Sequence, residues 1–460
     1  MKPLDIAGKR VLVVGAARSG LAASEFLLRM GADVTLTDRR KNRELGPPVN
    51  RLRRQGVTLA LGGHPPELFR DRDLIVVSPG IPRDCPGLVL AQSLGIEILG
   101  ELELAARFIR APIIAVTGTN GKSTTTSFIG HILRAAQRRV FVGGNLGTPL
   151  SRAIDRDLDV VVAEVSSFQL EWAPCFDAEI AVLLNITPDH MERYDGLEDY
   201  ARTKARLIRQ QSAGHAAVVN VSDPMTLRFA SESAADIYTF GHGAEVKRGI
   251  KHVEGRLWMG ETGKWSPIPI QAFRLRGRHN IDNLMAALMA AHLAGVDIET
   301  LCDLVPRLEG LPHRLEYVRE VKGVRYYNDS KATNVSSVAT ALGDFDESVI
   351  LLMGGRDKGE SFAPLEAPIR RAVKLAVVYG ESAEKIRRMI GGWTEVRAVS
   401  TLHEAIDLAG SLAVPGDSVL LSPACASFDQ FQDFEARGEA FRRAVWTLAG
   451  RSEHPAEVEE

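Results

Sequence analysis

Thr117-Gly118-Thr119-Asn120-Gly121-Lys122-Ser123-Thr124 lies between an apolar run, Ile113 to Thr117, and a helical pattern. At a strand-to-helix turn of this kind, backbone N–H groups and the positive end of the helix dipole converge and favour a bound phosphate. Lys122 is placed to reach the terminal phosphates of a nucleotide, and Ser123 has the position whose hydroxyl ligates magnesium in such loops. Only two residues, Thr119 and Asn120, separate the glycines where about four are usual, so the loop departs from the general Walker A spacing. A bland Gly-rich turn is the competing reading, and the Lys-Ser-Thr sequel with its flanking elements speaks against it.

Outward from this loop, short β-branched runs alternate with longer helical patterns, the signature of parallel sheets built from βαβ units, so the class is α/β throughout. Before the loop, Arg10 to Val14, Asp33 to Thr37, Val57 to Leu61 and Asp73 to Ser78 read as strands, with a helix from Ser19 to Met30, a Rossmann-like half. After it come strands at Val160 to Ala163 and Ala181 to Leu184, then at Val349 to Met353, Leu375 to Tyr379 and Ser418 to Ser422. The expected organisation is a Rossmann-like domain over 1–100, a central P-loop ATPase-like domain over 101–310 and a C-terminal Rossmann-like α/β domain over 311–460. Glu453 to Glu460 reads as a frayed acidic tail.

Composition narrows the partners. A formal net charge of -2 over 460 residues provides no global field for nucleic acid or an anionic membrane, so anionic ligands must be held by local sites. Cys85, Cys175, Cys302 and Cys425 form no C-x-x-C pair and read as reduced, mostly buried thiols. No apolar run approaches the roughly 18 residues of a membrane span, and a cytoplasmic protein is expected.

The shortened G-T-N-G-K-S/T loop resembles that of the Mur ligases and their folylpolyglutamate synthase relatives. Further segments resemble the same family in the same order. They are Gly143 to Gly147, Glu164 to Leu170, Asn185 to His190, Gly277 to Asn283, Leu311 to Arg314, Asn328 to Asn334, Gly354 to Lys358 and Ser422 to Phe431. Folylpolyglutamate synthases begin with the ATP module and lack the Rossmann-like domain read here. Among the Mur ligases, the Ser422 to Phe431 segment is similar to the D-glutamate-adding enzymes; an L-alanine-adding ligase, the alternative within the family, has no need of a lysine for a second carboxylate. The resemblance implies a monomeric bacterial enzyme that activates UDP-N-acetylmuramoyl-L-alanine with ATP as an acyl phosphate and joins D-glutamate to it.

Joining two anions requires their repulsion to be cancelled, and magnesium with lysine supplies most of that cancellation. Glu164 follows the apolar run Val160 to Ala163, at the strand end where open α/β sheets collect ligands. Alone it reads as a solvated surface charge; the resemblance implies that it holds one magnesium with Ser123. His190 follows another strand and a Pro-containing turn, and alone it is as readily structural. In the family the matching histidine helps to hold a second magnesium and lies near the incoming amine, which it could orient or deprotonate. Lys204, in Tyr200-Ala201-Arg202-Thr203-Lys204-Ala205-Arg206, reads by itself as part of a solvated basic helix face. The resemblance implies that it is N-carbamylated and serves as an anion near the second magnesium.

Gly15-Ala16-Ala17-Arg18-Ser19-Gly20, followed by Asp38 at the end of the second strand, looks like a dinucleotide fingerprint with its acidic ribose partner. A nicotinamide-dependent dehydrogenase is therefore the reading from a different class, but Ala17 stands where the middle glycine admits a pyrophosphate, and the phosphate loop would go unused. In the family this scaffold holds the UDP substrate, and Ser19, Asp38, Arg39 and Gly80 fall at matching positions, together with Asn145, Ser166 and Gln169 of the central module. Asn280, Asn283, Arg314 and Asp329 match nucleotide-binding positions, beside Gly118, Thr119, Asn120, Gly121, Lys122, Ser123 and Thr124. Thr333, Lys358, Ser427 and Phe434 match those for D-glutamate, with Lys358 pairing a carboxylate through a charge-assisted bond; alone, Lys358 reads as a solvated loop charge.

Overall fold

The computed structural model describes residues 4–448 other than 192, 244, 274, 276, 346 and 347, so the acidic tail Glu453 to Glu460 lies outside the described residues. Two compact units partition the chain, one running to residue 308 apart from the short segment Leu275–Gly277, the other holding that segment and residues from Glu309 onward.

The first sheet contains β1 (Arg10–Val14), β2 (Asp33–Asp38), β3 (Thr58–Leu61), β4 (Leu74–Val77) and β5 (Ile98–Gly100) in the order β3-β2-β1-β4-β5. All its pairings are parallel. Val11 to Val14 are fully buried, the continuous apolar run required of a strand covered on both faces. Gly20 lets the following helix, Arg18–Arg29, pack against the strand end: a Cβ there would lie 1.8 Å from the Gly15 carbonyl oxygen.

The second sheet of the same unit contains β6 (Ile113–Thr117), β7 (Val140–Gly144), β8 (Val160–Glu164), β9 (Ile180–Leu183), β10 (Ala216–Asn220), β11 (Asp236–His242), β12 (Arg248–Val253), β13 (Arg256–Glu261) and β14 (Lys264–Ile268). Its order is β14-β13-β12-β11-β10-β9-β6-β8-β7, parallel from β7 to β12 and antiparallel at β13 and β14. In the other unit, β15 (Glu316–Val321), β16 (Val324–Asn328), β17 (Val349–Gly354), β18 (Val373–Tyr379), β19 (Glu395–Ala398) and β20 (Ser418–Ala424) follow the order β15-β16-β20-β17-β18-β19, with only β15 antiparallel. The antiparallel edges depart from the all-parallel expectation. Two of the pairings, β12 with β13 and β15 with β16, turn at Glu254-Gly255 and Lys322-Gly323, where both residues have positive φ (50° and 72°, 51° and 78°), matching the twist of a hairpin; β13 and β14 join through Thr262-Gly263, where Gly263 alone has positive φ (90°). Glu and Lys seldom take that conformation, so the turns were illegible without an Asn or Asp.

The cysteines are less buried than expected: Cys85 and Cys425 are buried, Cys302 is intermediate and Cys175 is exposed. Among the described residues no helix is long and apolar enough to cross a membrane.

Glu101 opens the helix Glu101–Ala106 just after β5 and is 2% exposed. One carboxylate oxygen accepts from the Ser151 N–H at 2.6 Å, while the other is buried without a hydrogen-bond partner among the described residues. Burial raises its pKa, and hydrogen bonding from Ser151 opposes this incompletely. The folded protein therefore retains a proton that the unfolded chain releases, and the associated stability is lost as pH rises through the folded-state value. Glu101→Gln keeps an acceptor for Ser151 and cannot ionise. It is expected to melt a few degrees above the parent protein at pH 8, with the advantage shrinking toward pH 5; equal melting temperatures at both pH values would contradict this account.

Candidate active site

The phosphate loop leaves β6 and enters the helix Lys122–Ala135 through Gly121, whose φ is 85°. A Cβ on Gly121 would lie 2.1 Å from Asn283 Oδ1, and one on Gly118 would lie 2.9 Å from Leu184 Cβ, so the loop is glycine-rich because neighbours close over it. The segment after β9 braces it. Thr119 N–H donates to the Asn185 carbonyl at 2.9 Å, Asn120 N–H donates to Asn185 Oδ1 at 2.8 Å, and Asn185 Nδ2 returns to the Asn120 carbonyl at 3.1 Å. The Thr119 hydroxyl donates to the Thr187 carbonyl at 3.1 Å and lies 3.2 Å from Tyr200 OH. This bracing explains how a two-residue spacer holds its shape. Asn185 and Thr187 lie in the Asn185 to His190 segment, and nothing in their side-chain chemistry marks them in the sequence as loop supports.

Lys122 Nζ donates to the carbonyls of Gly118 at 2.9 Å and Thr119 at 2.7 Å, and Ser123 and Thr124 occupy the first turn of the helix. On the helix Arg278–Leu293, Asn283 accepts from Thr125 Oγ1 at 3.3 Å and its amide lies 3.5 Å from Asn280 Oδ1. The structure thus brings Asn283 and its neighbour Asn280 to the phosphate loop.

Glu164 ends β8 and is 2% exposed. Asn145 Nδ2 donates to its Oε1 at 2.6 Å, whereas Oε2 is buried with no hydrogen-bond partner among the described residues. A desolvated, unshared carboxylate oxygen is costly unless a cation compensates it, and a hard oxygen donor suits magnesium. Among the described residues no three His, Cys, Asp or Glu side chains gather as a metal cluster. A metal here would therefore depend on Glu164 with hydroxyl, phosphate or modified-lysine oxygens.

Lys204 overturns the reading of its helix as a solvated basic face. Tyr200, Ala201, Lys204, Leu207 and Ile208 form one buried stripe of the helix Leu197–Arg209, and Lys204 is 2% exposed. That spacing is the signal that was missed. Its Nζ donates to the Gly118 carbonyl at 2.9 Å and lies 4.7 Å from the Tyr200 ring centre. Burial, then repulsion from Lys122, pushes its pKa well below the usual lysine value, against the attraction of Asp189 and Glu164. His190 stays exposed in the loop after β9, with a φ of 56° and its ring 4.7 Å from that of Phe168.

In the first sheet, a cavity of about 440 Å³ is lined by Ser19, Asp38, Arg40, Ser78 and Gly80 among others. Arg39, expected at this position, does not line it; as the chain turns out of β2, Arg40 faces the cavity instead. Asp38 Oδ2 accepts from Ala16 N–H at 2.7 Å, and the Arg40 guanidinium grips both carboxylate oxygens at 3.0 Å. Burial by itself would raise the Asp38 pKa, but hydrogen bonds from the Arg40 side chain and the Ala16 and Arg40 N–H groups bring it down to about 2. Ser166 and Gln169 cap the short helix Ser167–Leu170 on each other, with Gln169 N–H donating to Ser166 Oγ at 3.3 Å.

In the second unit, Lys358 Nζ donates to Thr333 Oγ1 at 3.1 Å. Ser427 is 2% exposed beyond the fully buried β20, and Phe434 opens the helix Phe434–Thr447. Arg314 lies beside Asp329, whose carboxylate burial pushes up to about 7; a hydrogen bond from Ser422 at 2.8 Å and one from Leu315 N–H at 3.1 Å oppose that rise. Arg437, unnoticed in the sequence, is fully buried and donates to Ser330 Oγ at 2.9 Å and to the Cys425 carbonyl at 3.0 Å, fixing the segment that leads to Ser427.

Three mainly parallel sheets, one of them presenting a braced phosphate loop with a buried acid at its carboxyl edge, define a multidomain nucleotide-dependent α/β enzyme. The sequence matches the Mur ligase MurD-like N-terminal domain over residues 9–100, the Mur ligase middle domain over 116–291 and the Mur ligase glutamate ligase domain over 313–425. It is 44% identical over 98% of its length to the whole of the UDP-N-acetylmuramoylalanine--D-glutamate ligase of Geobacter metallireducens. It is 43% identical over 97% of its length to 98% of the enzyme of that name from Acidobacterium capsulatum. Among solved structures, a pseudomurein peptide ligase from Methanothermus fervidus shares the fold at a TM-score of 0.58 and 19% identity, over 96% of this chain and all of that one. The chain belongs to the Mur ligase family, with three α/β domains and the family's use of ATP.

Proposed function

We propose that the chain joins D-glutamate to UDP-N-acetylmuramoyl-L-alanine in the cytoplasm as a monomer, with ATP giving ADP and phosphate through an acyl phosphate. The reading assigns residues 1–100 to the UDP substrate, 101–310 to ATP and 311–460 to the amino acid. The observation that carries it is the buried, unshared oxygen of Glu164 beside the braced phosphate loop, within a chain related over nearly all its length to D-glutamate ligases.

In this reading, Gly118, Thr119, Asn120, Gly121, Lys122, Ser123 and Thr124 cradle the nucleotide phosphates. Lys122 exchanges its contacts with loop carbonyls for phosphate oxygens. Asn280 and Asn283 hold the rest of the nucleotide in the first unit, and Arg314 and Asp329 match nucleotide-binding positions within the other unit. Glu164, Ser123, His190 and carbamylated Lys204 would hold two magnesium ions, which neutralise charge between the phosphate and the substrate carboxylate. Ser19, Asp38, Arg39, Gly80, Asn145, Ser166 and Gln169 receive the UDP substrate, and Arg40 lines the same cavity as Ser19 and Asp38. Thr333, Lys358, Ser427 and Phe434 receive D-glutamate, and His190 orients or deprotonates the attacking amine.

Purified protein is expected to release phosphate from ATP only when UDP-N-acetylmuramoyl-L-alanine, D-glutamate and magnesium are all present. Faster turnover of L-alanine with the unsubstituted UDP-muramic acid would overturn the specificity.

A further inference from the structure

Arg193 joins the loop that bears His190 to the Gly80 wall of the cavity in the first sheet. It stands three residues after His190, and its backbone N–H donates to the His190 carbonyl at 2.9 Å. Its guanidinium forks onto Glu171, with Nε 3.0 Å from Oε1 and Nη2 2.6 Å from Oε2. The same Nη2 reaches the carbonyls of Pro79 at 3.2 Å and Ile81 at 2.9 Å, the residues on either side of Gly80 in the cavity wall.

The connection is reinforced from both ends. The Arg193 guanidinium lies 4.4 Å from the centre of the Phe168 ring, against which His190 packs. Arg83 leaves the cavity-wall segment and comes back to Glu171 Oε2 at 3.3 Å and to Thr203 Oγ1, beside Lys204, at 3.2 Å. The Glu171 side chain is fully buried and that of Arg193 is 14% exposed. A desolvated fork of this kind fixes geometry in a way that an exposed pair, averaging over many rotamers, does not.

We propose that Arg193, anchored by Glu171, is a positioning residue: it holds the Pro79–Ile81 wall of the cavity in register with the loop bearing His190, so that one UDP-linked substrate meets both. The inference rests on the reading of that cavity as the UDP site. Arginine is required because a single planar group must serve a carboxylate and two backbone carbonyls together. Lysine retains the charge but offers one nitrogen, which cannot reach all of them.

The test measures UDP binding by calorimetry, ADP binding, melting temperature and steady-state kinetics for the full-length protein and for Arg193→Lys and Glu171→Gln. Arg193→Lys is expected to weaken UDP about tenfold, the scale of one lost charge-assisted hydrogen bond. It is expected to raise KM for the UDP substrate by a similar factor and to lower kcat, with ADP affinity nearly unchanged and the melting temperature lowered by no more than a few degrees, because Arg83 still pairs with the buried Glu171. Glu171→Gln keeps an acceptor oxygen and is expected to shift the same quantities less. Unchanged UDP affinity in both variants, with the parent protein binding UDP and active as a ligase, would overturn this inference and leave the proposed function standing. A parallel loss of UDP binding, ADP binding and thermal stability would overturn it in favour of a general structural brace. A parent protein that does not bind UDP would remove both the inference and the cavity assignment beneath it.

Discussion

Lys204→Ala and Lys204→Arg are both expected to lose most of kcat, on the order of a hundredfold or more, while still binding ATP and the UDP substrate. An unmodified lysine, with an ordinary pKa of about 10.4, would place a cation beside a site that has to hold magnesium. Here the side chain is desolvated at 2% exposure, on the same helix stripe as Tyr200 and Leu207, with Lys122 adding repulsion. A neutral amine can attack carbon dioxide, forming an N–C bond and releasing one proton, and the product carries an anion on a long side chain. Arginine cannot undergo that reaction under these conditions. Formate or acetate added to Lys204→Ala is expected to restore part of the rate, and labelled bicarbonate should give a carbamate signal only in the parent protein. Arg209→Ala is the control. It removes a half-exposed cation paired with Glu232 at 2.9 Å on the same helix, a surface pair of little energetic consequence, and should be nearly silent. Full activity in Lys204→Arg would eliminate the carbamate.

Glu164→Gln is expected to cut kcat by a hundredfold to roughly a thousandfold and to raise the magnesium concentration needed for half-maximal rate. The substitution is nearly isosteric. Its remaining carbonyl oxygen can still accept from Asn145 Nδ2, which preserves the local packing. What changes is the other position, where an N–H donor replaces a buried oxygen that now has no hydrogen-bond partner among the described residues. A donor cannot ligate a cation, so the loss falls on charge neutralisation during phosphoryl transfer. Melting temperature should hold or rise, because a desolvated charge is removed. Wild-type magnesium dependence in this variant would show that Glu164 is a structural acid, and the metal assignment would fall with it.

The phosphate loop was legible because its chemistry is local: a strand, glycines and a lysine within eight consecutive residues announce where backbone donors converge. The parallel strands were legible for a related reason, since strands covered on both faces must be apolar along their length, as Val160 to Ala163 and Val349 to Met353 are. The hairpins at Glu254-Gly255 and Lys322-Gly323 were not, because only tertiary pairing made those residues accept positive φ. Which of the adjacent Arg39 and Arg40 lines the cavity depends on how the chain turns as it leaves β2, and a matching family position does not show that.

The sequence by itself determined the α/β class, the phosphate loop and, through its order of motifs, the Mur ligase family. It also contained the helical spacing that puts Lys204 among apolar neighbours, although the surrounding charges obscured it. Only the tertiary structure decided that Lys204 meets Gly118, 86 residues earlier, that one Glu164 oxygen is left unshared, and that Arg193 spans more than 110 residues of chain to reach Pro79 and Ile81. The physical reason is that apolar periodicity and turn chemistry act between neighbours along the chain, whereas burial of a charge depends on which distant segments close over it.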